Sequence, residues 1–256
     1  MKALDTISLI LKRSESDMSS MPPTVLYNEG WMLRLLLDWF SQQPASGHPL
    51  DFAEETRWYS EALIPSAFLP RKRGDNYAES WTHADGVIGH FKIGKNRDTD
   101  LSLLSDATTL KVLEAKMLSK LSKGIKHAPY YNQAARSIAC IAEILRRADK
   151  SPVSMISVSF YVIAPQSQIE RGFFSAELSK DSIRSVVEKR AYEHDAKHKT
   201  DKIKWFQDWL VPTLEKADIQ AISWENILLH LNRVDSDAGN DMDIFYKKCL
   251  RFNKIK

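Results

Sequence analysis

Between Thr24 and Phe40 apolar residues recur every three or four positions (Leu26, Met32, Leu33, Leu36, Leu37 and Phe40), which predicts an amphipathic helix. The polar, Ser/Pro-containing stretch 13–23 before it reads as a linker, so residues 1–23 form an N-terminal segment ahead of one domain over 24–256. A second helix is predicted over about 51–62, ending before Pro65. A basic, turn-rich loop follows at 70–80, and beyond it the period changes to that of strands. Segments 86–93, 100–104 and 110–117 are short and apolar and are separated by turns, which predicts a three-strand antiparallel meander. A helix over about 129–148 comes next, with Pro129 in its first turn and Tyr131, Ala134, Ile138, Ile141 and Leu145 on one face. The β-branched and aromatic run 153–163 predicts a buried strand. Helical stretches at about 175–193 and 200–216 form an insertion near 170–217, before a last strand at 219–224 and a helix at 225–231. The expected fold class is α/β, a mixed sheet flanked by helices.

Composition narrows the classes without choosing among them. With 256 residues and 43% hydrophobic content the chain can bury a sizeable core, and Gly and Pro are sparse at 9 and 10. A net charge of +3 permits a polyanionic partner but does not demand one. Two cysteines, Cys140 and Cys249, are too few for a disulfide framework or a cysteine zinc site, and Cys140 lies in an apolar helical run. No apolar run approaches the roughly 20 residues that span a bilayer, and the N-terminus lacks a secretory pattern, so a cytoplasmic protein without membrane association is expected.

The chemistry concentrates in residues 99–117, TDLSLLSDATTLKVLEAKM. If a hairpin folds about the middle of the turn at Ser105–Thr109, Asp100 falls opposite Glu114, and directly opposed residues share a face. Lys116 joins them because side chains alternate with period two, whereas a one-residue slip would separate the group. Two close carboxylates repel unless a cation lies between them, and magnesium prefers such hard oxygen ligands. A lysine beside them can stabilise charge at a reacting phosphate.

On these residues, and on the order helix, three strands, helix, strand, the chain resembles the PD-(D/E)XK nuclease superfamily over roughly residues 24–163. The resemblance implies a restriction-endonuclease-like fold and metal-dependent hydrolysis of phosphodiesters in DNA, as in restriction, repair or phage-defence endonucleases. RNA stays open as a substrate. Asp100 and Glu114 would bind Mg2+, with Mn2+ able to substitute, and Lys116 would be the catalytic lysine. Thr99 stands where the motif has proline, a position that varies within the superfamily. Glu29 in the first helix corresponds to a further acidic residue near the metal in many members, and Gln133 to an auxiliary glutamine in some. Those branches often carry tyrosine four residues on, where this chain has Ser137. The rival expectation is a nucleic-acid-binding or scaffold protein that keeps the fold without catalysis. A homodimer, or a place in a larger defence or repair complex, is compatible with either.

Other polar residues carry less. Asp85 precedes Gly86 and reads as a turn residue, as does Asp106, while His83 and His90 read as structural. Trp58, Trp81 and Trp205 read as core. Arg71, Lys72 and Arg73, with Lys120, Lys123 and Lys126 after the third strand, are candidates for phosphate contacts with DNA.

Overall fold

All seven residues of the strand Thr109–Ala115 (β5) are buried, as expected of a strand covered on both faces. In the computed structural model, which describes residues 2–16, 19–94, 99–125, 127–194 and 196–254, β5 is the middle of a five-stranded sheet. Strands Arg57–Ile64 (β1) and Thr82–Gly89 (β2) lie on one side of it, and Ser157–Ala164 (β6) and Asp218–Ser223 (β7) on the other, in the order β1-β2-β5-β6-β7. The first three strands run antiparallel, while β5, β6 and β7 are parallel, so the sheet is mixed. A separate two-stranded ribbon, Phe91–Ile93 (β3) and Leu101–Leu103 (β4), is set into the connection between β2 and β5.

Three antiparallel strands are present, but they are not the expected ones. Residues 57–64 form a strand where a helix was expected over 51–62, and 86–93 divides at Gly89 and His90 between two sheets. The expected pairing of 100–104 with 110–117 does not occur, because β5 pairs with β2 and β4 with β3. The inferred turn at Gly94–Thr99 falls largely outside the described residues.

One face of the sheet is covered by the helix Gln133–Arg147 (α3), capped by Asn132, whose side chain accepts from Ala135 N at 3.0 Å. Its alanines 134, 135, 139 and 142 let it approach the strands, and Leu110, Val112 and Phe160 pack beneath it. The insertion adds Gln166–Glu170 (α4), Lys180–Tyr192 (α5), Ala196–Trp205 (α6) and, after a π-helical turn, Val211–Lys216 (α7). The opposite face is covered by Glu29–Ser41 (α2), Trp224–Val234 (α8) and Ser236–Asn253 (α9) over Leu113, Ala115 and Ile163. The N-terminal helix Ala3–Lys12 (which takes the label α1) buries none of its residues. No helix among the described residues is long and apolar enough to cross a membrane.

Candidate active site

Gly86 pairs with Leu113, and one further register step sets Asp85 of β2 opposite Glu114 of β5. Leu110 and Val112 belong to the layer under α3, so alternation puts Glu114 and Lys116 on that same side of the sheet. Asp85 Oδ2 accepts from Ala115 N at 2.8 Å, which locks its carboxylate to β5. Lys116 Nζ lies 2.5 Å from Glu114 Oε1. The backbone of Lys116 is held twice, its N donating to Ile163 O at 2.8 Å and its carbonyl accepting from Trp224 Nε1 at 2.9 Å. Position and direction of the lysine are thereby set by β6 and α8 together.

Glu114 is only 4% exposed. Burial, and then the neighbouring Asp85 carboxylate, push its pKa up to about 7, and Lys116 opposes the rise. Two carboxylates that cannot both ionise cheaply, on adjacent strands beside a lysine, suit a divalent cation. Among the described residues no group of three or more His, Cys, Asp or Glu side chains is arranged to hold a metal. Asp85 and Glu114 form a pair of carboxylates, and magnesium, which keeps several waters, is commonly held by one or two such groups.

Asp100 is not part of this group, and its expected role is corrected. It is 1% exposed and bridges Leu63 on the outer edge of β1, where Leu63 N donates to Thr99 O at 2.8 Å. Three strand spacings of about 4.8 Å then separate it from β5, on the order of 14 Å. There it lines a cavity of about 500 Å³ with Pro65, Trp81, Lys92 and Arg147. The expected opposition of Asp100 and Glu114 fails because 100–104 never pairs with β5.

The remaining candidates separate by position. Glu29 opens α2, in the layer on the sheet face opposite Glu114, and burial, then Glu29, push the Cys249 thiol of α9 up to about 12. Gln133 opens α3 and accepts from Ser122 N at 3.0 Å, tying the loop after β5 to the helix. Lys120 Nζ lies 4.4 Å from the centre of the Phe173 ring, and Lys123 is exposed on the same loop. Lys126 lies outside the described residues. Arg71 pairs with Asp75 at 2.9 Å, and Lys72 and Arg73 are exposed beside it on the β1–β2 loop. His83 lies 4.0 Å from Glu61, and His90 bonds the Glu54 carbonyl at 2.9 Å.

Asp85 is the residue that sequence reasoning passed over. Its neighbour Gly86 suggested a turn, yet the pair lies mid-strand, with Gly86 under Leu33 and Leu37 of α2. The signal was the strand pattern beginning at Thr82 rather than Gly86. No family model, no curated protein and no solved structure matches the chain.

Proposed function

We propose that the chain is a divalent-metal-dependent deoxyribonuclease of the PD-(D/E)XK type, with Asp85, Glu114 and Lys116 as its site. The observation that carries this is Asp85 standing opposite Glu114 on adjacent central strands, with Lys116 two residues further on the same face. The order α2, β1, β2, β5, α3, β6 supports a restriction-endonuclease-like fold once β3 and β4 are taken as an insertion.

In this reading Asp85 and Glu114 hold the cation. When bound, Mg2+ or Mn2+ supplies Lewis acidity toward the phosphate and lowers the pKa of a coordinated water. Asp85, fixed by the Ala115 amide, holds its carboxylate in place without reorganisation. Lys116 presents a positive charge beside Glu114, where it can stabilise charge that builds on the phosphate oxygens. Its doubly bonded backbone fixes where the side chain starts, and the Glu114 carboxylate holds the ammonium.

The test is cleavage of labelled single- and double-stranded DNA by purified protein with Mg2+, with Mn2+ and with EDTA. Asp85→Asn and Lys116→Ala should each lower the rate by about 100-fold or more, as loss of a preorganised charge does at comparable sites. Asp100→Asn should leave the rate within a few-fold of wild type. Absence of any product with either metal would leave the non-catalytic binding protein as the reading. Cleavage that persists in both Asp85→Asn and Lys116→Ala would assign the activity elsewhere.

A further inference from the structure

The loop between β1 and β2 and the helical insertion meet in a cleft of about 400 Å³ whose lining includes Lys72, Tyr77, Lys197, His198 and the ion pair Arg71–Asp75. Tyr77 is 36% exposed, and its ring stacks at 5.1 Å and 30° on the buried His194, so the ring is backed on one face while over a third of the residue reaches solvent. Its backbone is anchored at both polar groups. Tyr77 N donates to Asp75 Oδ1 at 3.0 Å, and its carbonyl accepts at 2.6 Å from Arg190 of α5. Arg190 is itself 1% exposed, its guanidinium lying over the rings of Phe68 and Tyr131. Arg190 also faces the buried Glu79 carboxylate and the Tyr130 hydroxyl, so the loop carbonyl is tied to a charge that the core itself holds in place.

We infer that this cleft binds single-stranded DNA, with a base stacked on Tyr77 and backbone phosphates on Lys72 and Lys197. The inference rests on the nuclease reading above and names its substrate. Tyr77 precedes Asp85 by eight residues on one chain, so the two are at most roughly 29 Å apart. One strand can therefore occupy both places. The catalytic side chains are recessed, Glu114 exposing 5% and Lys116 14% of their side chains. A flexible single strand can bring a phosphate up to such nearly buried groups more readily than a stiff duplex can. An aromatic platform between cations is also the arrangement that binds single strands without sequence readout. The insertion thereby acquires a role, since α5 supplies Arg190 and α6 supplies Lys197 and His198.

Fluorescence anisotropy in EDTA, with a labelled oligonucleotide of about 15 nucleotides and a hairpin duplex of the same sequence, tests this without interference from cleavage. The single strand should bind at least about tenfold more tightly than the duplex. Tyr77→Ala should weaken single-strand binding about tenfold, the effect of one stacked base, and Tyr77→Trp should restore it. Lys72→Ala with Lys197→Ala should flatten the salt dependence by about 1.4 in log–log slope. Equal or tighter binding of the duplex, or a Tyr77→Ala protein that binds the single strand like wild type, overturns the inference. Metal-dependent cleavage of duplex alone would overturn it while leaving the nuclease reading intact. Tyr77-dependent single-strand binding with no cleavage of any DNA would support the cleft and end the nuclease reading.

Discussion

Glu114 carries an energetic cost in the folded protein. Its folded-state pKa is about 7, against an ordinary value of 4.5, because burial and Asp85 both disfavour its charge. Between those values the unfolded chain gives up a proton that the folded chain keeps. The contribution of Glu114 to stability is therefore fully present below pH 4.5 and is lost as pH rises through 7. Glu114→Gln removes the titration. Measured by urea unfolding in EDTA, the stability of the variant relative to wild type should improve by on the order of 2–3 kcal/mol between pH 4 and pH 8. A relative stability that does not change with pH would show that Glu114 titrates normally. At this scale the sequence was partly legible. Glu114 and Lys116 share one strand, so their common face follows from local alternation alone. Asp85 reaches them across a strand boundary, and only the register of β2 on β5 reveals it.

The elements explain why that register was misjudged. Segment 51–62 is rich in Ala and Glu, which favour helix, but 57–64 pairs along its whole length with β2, and that pairing overrides the local propensity. With β1 missed, the three expected strands shifted along the chain, and Asp100 took the place that belongs to Asp85. Gly89 is the other cause. It has φ 157, and a Cβ on it would lie 2.3 Å from the Thr109 carbonyl oxygen, so the chain turns there out of the main sheet and into β3. Gly89→Ala should cost at least about 2 kcal/mol in urea unfolding, because the atom it meets is backbone of β5 and cannot swing aside. At Gly86 the added methyl meets only Leu33 and Leu37 side chains at 3.0 and 3.1 Å, so Gly86→Ala should cost less. A Gly89→Ala protein within about 0.5 kcal/mol of wild type would mean that β2 and β5 separate more easily than their pairing implies. Elements with a strong period of their own, α2, α3, β6 and β7, were legible within a few residues.

At the scale of the molecule, two apolar layers enclose a sheet that carries a pair of carboxylates beside a lysine. The α/β class was legible from the alternation of periods along the chain, whereas α9 was not, since its weakly apolar face acquires meaning only against α8 and α2. The carboxylate pair also makes global stability a reporter of the metal. A cation that binds only the folded chain stabilises it by about 2.7 kcal/mol at 100 times its dissociation constant. For a chain of this size that corresponds to a rise in Tm of roughly 5–10 °C. Magnesium at pH 8 should produce a rise of this kind, and EDTA should abolish it. The rise should shrink at pH 5.5, where Glu114, with its pKa of about 7, holds a proton that the cation must displace. Asp85→Asn and Glu114→Gln should lose most of the effect, because each removes one of two anionic donors. Asp100→Asn should keep it, whatever it does to stability in the absence of metal, since Asp100 belongs to the outer edge of β1. Differential scanning fluorimetry across the four proteins, with and without magnesium, separates these outcomes. An equal magnesium-dependent rise in Asp85→Asn and wild type would place the cation elsewhere and remove the chemical basis assigned to the pair.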